Sequence, residues 1–166
     1  MNYFELFEIP VQLKVQTAHL STRFFELSKK YHPDYFVGEH DLAQAESLEN
    51  SALLNKAWKT FQNPNETIKY VLQLKGLLEE EEKYELPPDF LMEVLEINEQ
   101  IMDGTDIENL RPQIENLKSE IYAPVKHIVE NYKEDVNTEE ELLQVKEYYY
   151  KKKYIDRIMR ELNPKF

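Results

Sequence analysis

The 166 residues contain no cysteine. A disulfide, a thiolate metal site and a cysteine nucleophile are therefore excluded, and packing alone must hold the fold. Glycine is nearly as scarce, at 3 residues. An all-β or α/β chain needs more glycine at its turns, so the composition points to helices, and a glycine-rich phosphate loop is ruled out. Positive charge is in deficit too. Twenty Lys+Arg against 32 Asp+Glu leave a net −12, which opposes nonspecific binding to nucleic acid and to anionic membranes. Nowhere do about 18 apolar residues run together, as a membrane span requires. The opening Met1-Asn2-Tyr3-Phe4-Glu5 has neither the basic-then-apolar order of a secretory signal nor an Arg-rich transit pattern, so an unprocessed cytoplasmic protein is expected.

What is present is 42% apolar residues, enough for one ordinary domain or two small ones. Charge divides the chain: residues 1–78 carry eight Lys+Arg and nine Asp+Glu, whereas residues 79–166 carry twelve and twenty-three. Two unlike modules follow from that asymmetry. Asn2 and Glu5 predict a short capped helix ending by Pro10. A second helix is expected from Thr17 to Tyr31, with Leu20, Phe24 and Leu27 inward, stopped by Pro33. The third should run from Asp41 to Phe61 with Leu42, Ala45, Leu48, Ala52, Leu53, Ala57 and Phe61 facing the core. Asn63, Pro64 and Glu66 open a fourth that carries Ile68, Val71 and Leu72 to Gly76. Four successive acids, Glu79 to Glu82, resist compaction and mark residues 79–86 as a connector.

Beyond Pro87-Pro88 a fifth helix is predicted over Asp89–Asp103. A sixth, starting near Thr105 with Glu108, continues an apolar stripe through Ile107, Leu110, Ile114, Leu117, Ile121, Val125, Ile128 and Tyr132. Pro112 should pull its start forward and Pro124 should bend it. Thr138 with Glu141 opens a seventh that passes Val145, Tyr148, Ile155 and Leu162 to stop at Asn163-Pro164. Three long amphipathic segments over residues 87–166 imply an antiparallel three-helix bundle. The expected class is all-α.

His32-Pro33-Asp34 stands where the second helix must end. From the residues alone it reads as a helix stop with a turn-forming aspartate, or as an imidazole–carboxylate pair for a small hydrolase, which lacks a nucleophile or oxyanion cradle to accompany it. Arg23, Lys29 and Lys30 precede it, a positive patch in an acidic chain. Four helices with this basic second helix leading into His-Pro-Asp resemble the J domain of DnaJ-type co-chaperones, over residues 1–78. The resemblance implies that His32, Pro33 and Asp34 contact an ATPase chaperone of the DnaK type, stimulating its ATP hydrolysis, with Arg23, Lys29 and Lys30 steering the encounter. The bond-breaking chemistry would belong to that partner, so this chain is not expected to be an enzyme. Many members carry a basic residue after the tripeptide; here it is Tyr35.

The fifth helix has more apolar residues than one buried stripe uses. Phe90, Val94, Ile97 and Ile101 form that stripe, leaving Leu91, Met92 and Leu95 beside Glu96 and Glu99. The surplus reads either as a broad core face or as an exposed patch with an acidic rim. Together the Asn2-Tyr3-Phe4-Glu5-Leu6-Phe7 opening, the J-like half, the acidic joint and Phe90-Leu91-Met92-Glu93 resemble the HscB family of iron–sulfur co-chaperones. That resemblance implies delivery of an IscU-type scaffold to an HscA-type chaperone. It places Leu91, Met92, Leu95, Glu96 and Glu99, with Tyr154 of the last helix, on the scaffold surface. A general J-domain adaptor for another client is the nearest alternative. His19, His32, His40 and His127 are scattered, so neither metal nor cofactor is expected, with His40 suited to start the third helix.

Overall fold

In a computed structural model the structure is described for residues 1–162, the side chain of Leu162 excepted; the expected stop at Asn163-Pro164 lies outside the described residues. Among the described residues every regular element is helical: α1 Tyr3–Phe7, α2 Thr17–Tyr31, a 3-10 turn Pro33–Phe36, α3 Asp41–Phe61, α4 Pro64–Leu74, α5 Pro88–Met102, α6 Ile107–Tyr122, α7 Lys126–Asn131 and α8 Glu139–Leu162.

The starts follow local chemistry. The Asn2 side chain accepts the Glu5 N–H at 2.8 Å, and the Asn63 side chain accepts those of Asn65 and Glu66 at 3.0 and 3.2 Å. Thr138 and Glu141 form a reciprocal box: the Thr138 N–H donates to the Glu141 carboxylate at 3.0 Å, and the Glu141 N–H donates to the Thr138 hydroxyl at 3.2 Å. Glu5 departs from that pattern, accepting from the Asn2 side-chain amide rather than the backbone.

Three expectations need correction. Of the expected α3 face, Ala57 and Phe61 are buried and Leu53 is half-buried, but Leu42, Ala45, Leu48 and Ala52 are exposed, and Ser47 and Leu54 are covered in their place. An Ala/Leu-rich helix presents two apolar stripes, and packing against α2 and the 3-10 turn selects which one is buried. Pro112 does not delay α6, which begins at Ile107. Its cap is Asp106 rather than Thr105, and Arg111 braces the first turn by donating twice to Glu108 at 3.1 and 2.9 Å. Near Pro124 the helix is interrupted rather than bent. Residues 123–125 form a turn before α7, although Val125, Ile128 and Tyr132 continue the buried stripe.

The first four helices close around aromatic rings. Phe4 and Phe7 lie 5.2 and 5.3 Å from Phe61, while Phe24 stacks on Trp58 at 4.7 Å. Tyr3 stacks on Tyr70 at 4.1 Å and donates its N–H to the Tyr70 hydroxyl, fastening α1 to α4. Behind them α8 packs against α4, α6 and α7, and α5 packs against α6. The acidic joint is also held down, because its charges are shared out among separate donors. Glu82 pairs with Lys146 at 2.6 Å, Glu80 accepts from Gln73 at 2.7 Å, and Tyr84 stacks on Tyr150 at 4.6 Å. The Lys146 ammonium holds the Glu82 carboxyl below its usual range.

Candidate functional sites

Pro33 forces His32 out of helical geometry, to φ −62° and ψ 130°, and then opens the 3-10 turn. His32, Asp34 and Tyr35 are exposed at this corner, and the turn rests on α3. Gly38, at φ +93°, lets the chain leave it in left-handed geometry. The Asp34 N–H donates to His32 Nδ1 at 3.2 Å, so in the neutral ring the proton sits on Nε2. The Asp34 carboxylate lies 3.6 Å from the same Nδ1, too far for a hydrogen bond and facing a nitrogen already engaged as acceptor. Ser28 lines the same hollow, but no hydrogen bond joins it to His32 among the described residues. The group is thus a polar corner offered outward, arranged unlike a Ser–His–Asp relay, in which Nδ1 donates to the carboxylate.

Lys29 and Lys30 are exposed on the last turn of α2 and have no ion-pair partner among the described residues. Arg23 differs: Glu8 holds its guanidinium at 2.9 Å and Glu26 at 3.4 Å. One side chain that the sequence reading passed over belongs here. Phe25 is 63% exposed, one turn before Lys29. The adjacent Phe24-Phe25 pair was the available signal, since neighbours on a helix cannot both face one core.

On α5 the stripe of Phe90, Val94 and Ile97 is buried, while Met92 and Leu95 are 62% and 52% exposed. Glu96 and Glu99 are exposed beside them. Leu91 is half-buried and shares a hollow with Tyr154, whose ring meets Phe90 edge-on at 6.2 Å. Leu91 and Tyr154 therefore meet at the α5–α8 edge, Met92, Leu95 and Glu99 stand on the exposed side of α5, and Glu96 also borders a hollow lined by Gln113 and Asn116 of α6. The rim of the apolar patch is acidic on the α5 side only, because Lys153 and Arg157 border the hollow of Leu91 and Tyr154 from α8. His40 caps α3, accepting the Ala43 N–H at 3.1 Å, and His19 and His127 are exposed. Among the described residues no helix is long and apolar enough to cross a membrane.

Comparison with known proteins bears on the family and the fold. A profile described as the HSCB C-terminal oligomerisation domain matches residues 86–163. The "Co-chaperone protein HscB homolog" of Photobacterium profundum is 28% identical over 169 residues, covering 98% of this chain and 95% of that protein. The "Co-chaperone protein HscB" of Proteus mirabilis is 33% identical over 114 residues, 66% of each. Among solved structures, human co-chaperone HscB superposes with a TM-score of 0.79 at 26% identity, covering 99% of this chain and 82% of that one. HscB from Vibrio cholerae gives a TM-score of 0.71 at 24% identity, with 99% and 96% covered, and bears on the fold. The class is that of all-α co-chaperones pairing a J domain with a helical bundle. The chain belongs to the HscB family.

Proposed function

We propose that this co-chaperone stimulates the ATPase of an HscA/DnaK-type chaperone and delivers an IscU-type scaffold to it during iron–sulfur protein maturation. Residues 1–78 are the J domain, 79–86 the joint and 87–166 the scaffold-binding bundle. The observation that carries the reading is the exposed corner at His32 and Asp34, directly after Lys29 and Lys30, which have no ion-pair partner among the described residues. Those cations supply a local positive field in a chain of net charge −12, suited to an acidic chaperone surface. Arg23 joins them by exchanging Glu8 for a partner carboxylate, a change of small cost because exposed ion pairs contribute less than about 1 kcal/mol. Leu91, Met92, Leu95 and Tyr154 form the apolar anchor for the scaffold, with Glu96 and Glu99 at its edge.

Chaperone ATP turnover, measured alone, with this protein, and with this protein plus scaffold, tests the reading. Turnover should rise at the second step and again at the third. Asp34→Ala should abolish both increases while leaving scaffold affinity intact by calorimetry. Normal stimulation by Asp34→Ala refutes the role of the corner. Stimulation by the native chain with no measurable scaffold binding points to an adaptor for a different client.

A further inference from the structure

The cations of α8 fall into three groups, one of them Arg160 alone, which donates to the backbone carbonyl of Asp156 at 3.2 Å. Lys146 pairs with Glu82 at 2.6 Å, Lys151 with Glu147 at 3.6 Å and Lys152 with Asp156 at 3.0 Å. Lys153 and Arg157, one turn apart, are exposed and have no carboxylate partner among the described residues. They lie over aromatic rings instead, Lys153 at 5.9 Å from the Tyr150 centroid and Arg157 at 5.3 Å from that of Tyr154. Both border the hollow between the joint, α5 and α8, whose apolar wall includes Tyr84, Leu86 and Leu91. Of the two acids on its lining, Glu82 is already taken by Lys146. Glu85 is left to face Lys83, Lys153 and Arg157. In a chain of net charge −12 this is a local cationic excess over an apolar floor.

We infer that this groove is a second half of the scaffold-binding surface, taking a segment of the scaffold in which a carboxylate stands beside apolar side chains. The inference rests on the function proposed above and deepens it. Leu91 belongs to both the α5 patch and the groove, so the two halves are continuous. The surface then has a polarity: acids at the α5 edge meet scaffold cations, while Lys153 and Arg157 meet a scaffold anion. Reversed docking would set like charges together at both edges, so the arrangement fixes orientation as well as affinity.

Calorimetry with the IscU-type scaffold protein as probe tests this, comparing the native chain with Lys153→Glu/Arg157→Glu and with Met92→Ala. The charge reversal should weaken binding by roughly tenfold. The gap from the native chain should narrow as salt is raised, because exposed pairs are screened. Unchanged affinity in the reversal, with weakened affinity in Met92→Ala, overturns the groove and leaves the proposed function standing. Unchanged affinity in both variants, or no scaffold binding at all, overturns the scaffold surface and the groove with it. Sedimentation showing a dimer that the reversal dissolves assigns the groove to a second copy and also overturns the inference. Should circular dichroism show the reversal unfolded, Lys153→Gln/Arg157→Gln replaces it, with roughly threefold weakening expected and unchanged affinity overturning.

Discussion

Replacing Met92 and Leu95 by alanine separates the two meanings of surplus apolar residues on α5. In the free chain these side chains are 62% and 52% exposed. Full burial of a Leu or Met side chain is worth roughly 1.5–3 kcal/mol, so covering the open half contributes about 1 kcal/mol for each. Met92→Ala/Leu95→Ala should therefore weaken the scaffold complex by about 2 kcal/mol, roughly 30-fold in Kd, measured by calorimetry. Folding answers to the other half. Losing the inner contacts of each side chain lowers stability by about 1 kcal/mol, since neither deletion leaves a closed void, whereas a true core truncation costs about 2–5 kcal/mol per site. Urea denaturation followed by circular dichroism reads this difference. Unchanged scaffold affinity refutes the patch; a stability loss beyond about 4 kcal/mol for the pair refutes the exposure on which the estimate rests.

Ile114 is wholly enclosed between helices, so Ile114→Ala should lower unfolding free energy by about 2–5 kcal/mol in the same assay; a loss below about 1 kcal/mol would mean that the α6 stripe is not core. Alkaline pH probes the tyrosines of α8. Burial pushes the hydroxyls of Tyr148 and Tyr149 up to about 12 from the ordinary 10.0. Because the folded state favours the neutral phenol, their contribution is complete below the unfolded value and is lost as pH rises from 10.0 toward about 12. The urea midpoint should be level up to that window and fall across it, less steeply in Tyr148→Phe; an identical fall in that variant removes Tyr148 from the explanation.

Elements whose ends are set by adjacent residues were legible in the sequence. Pro33 fixes the end of α2, Asn63-Pro64 the start of α4 and Thr138 with Glu141 the start of α8, each through a bond or clash within a few positions. Burial over the first half of α3 was not, because the choice between Leu42 and Leu48 and the covered Ser47 and Leu54 is made by the elements packed against the helix. The two prolines of the sixth segment differ for a similar reason. A capped and ion-paired first turn carries α6 through Pro112, and no comparable start signal precedes Pro124. The tripeptide corner was legible as local chemistry. The groove beside α5 was not, since its walls come from residues 82–91 and 150–157, which only the tertiary fold brings together.

Packing between α4 and α8 bears on how two partners could be coupled through one chain. The corner at His32 rests on α3, α3 leads through the Asn63 cap into α4, and α4 lies against the helix that carries Tyr154. Asn65 reaches Asp156 at 3.3 Å, and Lys75 forms an ion pair with Glu134. The joint adds the stack of Tyr84 on Tyr150 and the bridge from Glu82 to Lys146. A freely flexible tether would spread the bound scaffold over many positions and dilute its presence near the chaperone. Packed helices confine it instead. Under the proposed function, coupling between the two partners is then set by the placement of the surfaces at Asp34 and Met92 on one body, and the orientation enforced by charge at the α5–α8 groove decides which face of the scaffold is presented.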